Sequence, residues 1–185
     1  MNSVQINKKK LYFFDILTLI IIVAGDRISK FFVLKNLLNR PSYSLIPGIC
    51  ELRYHQNYGL AFGLFSGQKI FLLSIAAFVI VVCGYLIYKM PSKKAYSKAS
   101  ILLAMIIAGT IGNMIDRIIY GYVIDFIYLK FKISPIFNIS DIFITLPVLI
   151  MLFLLIFHYH ERDLSFLNIV EQRTDRKSTR LNSSH

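Results

Sequence analysis

The chain is poor in acid: ten Asp and Glu residues stand against 21 Lys and Arg in 185 residues, a net charge of +11. In a soluble protein that excess would point to nucleic acid, but no basic stripe lies on a polar amphipathic face, so nucleic acid is not an expected partner. The basic residues sit instead in the gaps between apolar runs, where orientation in an anionic membrane accounts for them. Cysteine is scarce as well. Cys50 lies in a connecting segment and Cys83 in an apolar run, which argues against a disulfide, and neither belongs to a metal-ligand spacing. No internal repeat is present, which counts against the repeat-built transporters. Nor does a small-residue cleavage site follow the basic start at Lys8 to Lys10, and the apolar run behind it is too long for a cleavable signal. It reads as a retained first span.

Hydrophobic residues make up 56% of the chain, and the mean hydropathy is +0.59. Those values indicate a membrane protein. Crossing a bilayer takes about 20 largely apolar residues, and four runs qualify: 11–32, broken by Asp15 and Asp26, then 70–90, 99–119 and 142–158. The last holds Pro147, which a membrane helix tolerates when the freed carbonyl finds another partner. The expected fold class is therefore an all-α membrane protein. Four transmembrane helices carry a small extracytoplasmic β-cradle, residues 41–68, between the first two. Alternation in that segment (Leu45, Ile49, Leu52, Tyr54) and its glycines support short strands and turns on the membrane surface. Residues 1–160 form the membrane domain, and 161–185 a polar cytoplasmic tail whose end, from Arg176, has no periodicity and resembles a non-native extension.

Lysine density sets the orientation. Lys89, Lys93, Lys94 and Lys98 crowd one turn without an acid, whereas Lys35, Arg40, Arg53 and Lys69 are spread over a segment about four times longer. Both termini and the Lys93 turn are expected in the cytoplasm. The first and third spans then end, and the fourth begins, near the outer face.

Polar residues gather at those same ends: Asp26 with Lys30, Asn113 with Asp116 and Arg117, Asp125, and Asn138 with Asp141. Charge in hydrocarbon is costly, so such residues serve a pathway or a chemistry. Asp26 and Lys30 stand one turn apart and can neutralise each other, and Arg117 beside Asp116 suits a structural brace. Asp125 sits in the apolar frame Tyr122-Val123-Ile124-Asp125-Phe126-Ile127, which favours its protonated form, while Asp141 suits a helix N-cap. Two carboxylates forced together in a dry site share a proton, so one serves as base and the other as acid. Peptide hydrolysis needs that pairing.

Five blocks carry a family resemblance. Asp26-Arg27-Ile28-Ser29-Lys30, Asn57-Tyr58-Gly59-Leu60-Ala61-Phe62-Gly63, Gly112-Asn113-Met114-Ile115-Asp116-Arg117, Val123-Ile124-Asp125-Phe126 and Phe137-Asn138-Ile139-Ser140-Asp141 resemble, in order, those of bacterial lipoprotein signal peptidases, or signal peptidase II. The resemblance implies an aspartic intramembrane protease of the bacterial plasma membrane, with its active site near the outer face. It would remove the signal peptide of prolipoproteins just before the diacylglyceryl-modified cysteine. By position, Asp125 and Asp141 match the catalytic dyad. Asn57, Asn113, Arg117 and Asn138 match residues that bind substrate or hold the dyad, and Asp26 and Lys30 the support in the first span. No metal or cofactor is implied. The expected partners are lipid-modified prolipoproteins and membrane phospholipid, with the protease a monomer. One position departs from the pattern: Ser140 stands where the family usually has alanine.

Two other classes compete. A non-enzymatic polytopic protein or proton-coupled transporter subunit would also hold intramembrane acids, but strung across the bilayer and not collected at one depth. A cysteine hydrolase would have to rest on Cys50 and His55, with no third orienting group evident.

Overall fold

The computed structural model describes residues 5–60, 63–131 and 134–157. The tail at 161–185, the end of the fourth predicted span at His158, and Ala61 and Phe62 of the second motif block lie outside the described residues. Four long helices and four short strands follow one another: α1 (Lys8–Leu37), β1 (Tyr43–Ile46), β2 (Cys50–Asn57), α2 (Lys69–Lys89), α3 (Ser97–Tyr120), β3 (Val123–Leu129), β4 (Ile136–Phe137) and α4 (Ile139–Phe157).

Among the described residues, three helical segments are long and apolar enough to cross a membrane: 69–89, 94–120 and 139–157. The second, containing α3, is the central one. In its most apolar 18-residue stretch 72% of the residues are buried, against 17% and 11% in those of α2 and α4. Helices so apolar and yet so exposed have lipid as their natural solvent. α1 is longer still, about 45 Å at 1.5 Å per residue, but its apolar stretch is interrupted by charge. Its buried residues are Leu11, Asp15, Ile22, Asp26, Lys30 and Val33, a single stripe at helical spacing. α1 therefore turns Asp15, Asp26 and Lys30 inward, while Phe13, Ile16, Ile20, Ile21 and Phe31 stay exposed.

α1 packs on α3, and so does α4. Asp15 Oδ2 accepts a hydrogen bond from Ser100 Oγ at 2.7 Å, pinning α1 to the start of α3. Farther along α3, Gly109 permits the approach of α4: a Cβ there would lie 2.8 Å from Ile144 Cγ1 and would collide with the Ser140 carbonyl oxygen. Any larger residue would push the helices apart. α3 ends at Gly121, whose φ of 85° is left-handed and whose N–H returns to the Arg117 carbonyl. The chain can then reverse directly into β3.

The strands form one antiparallel sheet in the order β1-β2-β3-β4. This alters the expected cradle, because half of the sheet comes from the connection between α3 and α4 and not from residues 41–68. The run Val123-Ile124-Asp125-Phe126-Ile127-Tyr128-Leu129 is rich in β-branched and aromatic residues and pairs along β2, with His55 opposite Asp125 and Asn57 opposite Val123. Both of its faces are covered at the start: Val123, Ile124, Asp125 and Phe126 are all buried. Ile124 and Phe126 form a small core with Val33, against which Leu34, Leu37 and Ile139 pack. That core fixes the sheet to the end of α1, next to the ends of α3 and α4 where the polar residues lie.

Candidate active site

Asn138 immediately precedes α4, and its side-chain Oδ1 accepts the backbone N–H of Asp141 at 3.1 Å. In return Asp141 Oδ2 accepts the backbone N–H of Asn138 at 3.0 Å. This reciprocal pair is a capping box. It corrects the expectation that Asp141 is itself the N-cap: Asn138 caps, and Asp141 closes the box three residues later. With Asn138 Oδ1 committed to the cap, its Nδ2 points the other way and donates to Asp125 Oδ1 at 2.6 Å. One residue thus holds both aspartates.

Asn57 is oriented by the same logic. Its Oδ1 accepts the Gly59 N–H at 2.9 Å, so its Nδ2 is left to donate to Asp125 Oδ2, also at 2.9 Å. On the far side Asn113 Nδ2 donates to Asp141 Oδ1 at 2.7 Å. Asn113 Oδ1 accepts from Asn138 Nδ2 and from Lys30 Nζ, each at 3.2 Å. Those two donors fix which end of the Asn113 amide faces Asp141. Arg117 reaches over the site to the Gly59 carbonyl at 2.9 Å and ties the loop after β2 to α3.

Behind these residues lies a buried ion cluster. Lys30, 2% exposed, forms ion pairs with Asp26 at 3.0 Å and with Asp116 at 2.7 Å. Arg27 spans the same two acids, with one nitrogen 2.7 Å from Asp116 Oδ1 and another 2.5 Å from Asp26 Oδ2. Asp116 therefore pairs with two cations of α1. The expected brace to its neighbour Arg117 is not formed: Arg117 donates instead to the Gly59 carbonyl.

The eight residues matched by position to the family's site (Asp26, Lys30, Asn57, Asn113, Arg117, Asp125, Asn138 and Asp141) thus belong to one connected network. Arg27 was missed, although it stands inside the first motif block. An arginine next to an aspartate in a largely apolar run was the available signal.

Asp125 is 1% exposed, and burial first, then the charge of Asp141, pushes its carboxyl up to about 7. Asp141 instead lines a cavity of about 680 Å³ together with Asn57, Asn113 and Arg117. Apart from Thr110 and Thr145 the rest of the wall is apolar, including Leu72, Ile75 and Val79 from α2 and Leu146 and Leu149 from α4. Such a cavity accepts an apolar segment and presents it to a few polar groups at one end. Among the described residues no group of three or more His, Cys, Asp or Glu could hold a metal ion.

A helical membrane enzyme is the class these features define, and comparison with solved structures agrees. Two chains, each described as a bacterial membrane enzyme and solved in meso at 2.3 and 1.9 Å, match at TM-scores of 0.74 and 0.70, each with 25% identity. The first match covers 84% of this chain and 93% of the other; the second, 86% and 99%. In sequence, a lipoprotein signal peptidase of Streptococcus pyogenes serotype M1 is 39% identical over 78% of this chain and 92% of its own length. A second, from serotype M6, is 38% identical over 78% and 91%. The family profile described as signal peptidase (SPase) II matches residues 18–157. The chain belongs to the signal peptidase II family, and it is a membrane protease whose activity is the cleavage of prolipoprotein signal peptides.

Proposed function

We propose that the cleavage is aspartic, with Asp125 and Asp141 as the catalytic pair, and that it falls just before the diacylglyceryl-modified cysteine. The observation that carries this reading is the placement of the two carboxyls on either side of Asn138, one buried and one open to an apolar cavity. Asp141, ionised and held by Asn113 and the Asn138 N–H, takes a proton from water as the water oxygen attacks the scissile carbonyl. Asp125, protonated at rest, gives its proton to the carbonyl oxygen. Collapse of the tetrahedral intermediate then breaks the C–N bond while Asp141 passes its proton to the leaving amine and Asp125 takes one back from a hydroxyl of the intermediate, which restores the resting pair. Asn57, Asn113, Asn138 and Arg117 bind substrate or hold the pair.

In this reading α1 is a fourth span and both termini are cytoplasmic. The lysines at 89, 93, 94 and 98 lie inside, and the sheet lies at the outer surface among phospholipid headgroups. Residues up to 160 are one membrane domain acting as a monomer, with 161–185 as a cytoplasmic tail. The apolar cavity between α2 and α4 takes the signal peptide. The test is mass mapping of the products from a diacylglyceryl-modified prolipoprotein incubated with the detergent-purified enzyme, with and without a chelator. A new N-terminus at the lipidated cysteine, unaffected by the chelator, is expected. Cleavage elsewhere, or loss of cleavage on chelation, would overturn the reading.

A further inference from the structure

We propose that Arg27 is a positioning residue that, with Lys30, sets the spacing of Asp125 and Asp141. The proposal rests on the reading of those two as the catalytic pair. Its basis is a symmetry in the ion cluster. Asp116 Oδ2 accepts the backbone N–H of Ile124, the residue before Asp125, at 3.1 Å. Asp26 Oδ1 accepts the backbone N–H of Ser140, the residue before Asp141, at 3.2 Å. Each catalytic aspartate is thus anchored, one peptide upstream, on one acid of the cluster. The separation of the two anchors passes directly into the separation of the pair.

Both anchors are fully buried anions, each 0% exposed, on different helices, and alone they would repel. Arg27 joins them with its planar fork and adds a donor to the Gly112 carbonyl at 2.9 Å. A guanidinium fixes the distance between two carboxylates in a way that a single ammonium does not. It also leaves Lys30 free for a third task. The Lys30 ammonium forms ion pairs with Asp26 and Asp116 and donates a hydrogen bond to Asn113 Oδ1. The bond to Asn113, at 3.2 Å, is the longest of the three. Without Arg27, Lys30 alone would face two anions, and that bond is the one to give way. Asn113 would then lose the contact that turns its Nδ2 toward Asp141. Arg27 lines neither the apolar cavity nor the smaller one beside His55, so substrate affinity should not depend on it.

The test is steady-state cleavage of a lipidated prolipoprotein by purified Arg27→Gln, Arg27→Lys and Asp125→Asn, normalised to folded enzyme by size exclusion. Arg27→Gln should lower kcat roughly ten- to a hundredfold, the scale of a misplaced reacting group. KM should stay within about twofold, since only transition-state geometry is lost. Arg27→Lys, which keeps the charge without the fork, should be intermediate and should fold even if the glutamine variant does not. An unchanged kcat in folded Arg27→Lys and Arg27→Gln, or in Arg27→Lys alone where the other fails to fold, overturns the proposal. So does a rise in KM with kcat intact. Full activity in Asp125→Asn would instead overturn the catalytic reading on which it rests.

Discussion

Replacing Lys30 by Met keeps a straight chain of similar length and deletes one charge from a cluster of two acids and two bases. Lys30 is 2% exposed and contacts Asp26, Asp116 and Asn113. The variant leaves two buried carboxylates facing Arg27 alone, and breaking a buried pair in this way costs about 3–5 kcal/mol. For a chain of this size each kcal/mol moves the melting temperature by roughly 2–4 °C, so a drop on the order of 10 °C follows. The chain has no tryptophan, so far-ultraviolet circular dichroism in detergent is the suitable readout. Salt should change the result little, because the cluster is shielded from mobile ions. The double variant Lys30→Met with Asp26→Asn restores neutrality and should lose less than the two single changes added together. A Lys30→Met protein melting within about 2 °C of wild type would refute the view that the cluster holds α1 to α3.

Asp125 adds a pH dependence to stability. Its carboxyl is raised from 3.8 to about 7, so the folded protein binds that proton more tightly than the unfolded chain. The contribution is full below about pH 4 and is lost as pH rises through about 7, at most about 4 kcal/mol; melting curves of Asp125→Asn should lack this slope. Ser140 Oγ is buried without a hydrogen-bond partner. Ser140→Ala should therefore raise stability by about 1 kcal/mol and keep turnover, as denaturation and cleavage assays would show. Gly109→Ala drives a Cβ into the Ser140 carbonyl and should destabilise the α3–α4 contact by roughly 1–3 kcal/mol, read as a lower melting temperature.

The helices were legible because lipid imposes a simple rule, a long apolar run, and α2, α3 and α4 obey it within a few residues. The candidate site was legible because charge among hydrophobes is rare enough to mark each member. The second half of the sheet was harder to see. Val123 to Leu129 is apolar on both faces at its start, so no alternation distinguishes a strand from the flank of a helix. The partners inside the ion cluster were hidden for a different reason. Proximity in sequence suggested Asp116 with Arg117, whereas the bonds run between helices, from Arg27 and Lys30 to Asp116. Asp141 looked like an N-cap because both it and Asn138 can cap. Only the backbone shows that Asn138 occupies that position and that its side chain is thereby aimed at Asp125.

The proposed catalytic pair is tested most directly by turnover of Asp125→Asn and Asp141→Asn on a diacylglyceryl-modified prolipoprotein, each checked for folding beforehand. Asparagine keeps the shape of the side chain and removes its proton chemistry. The account predicts that both folded variants bind substrate and cleave none of it; cleavage at the wild-type rate by either would contradict it.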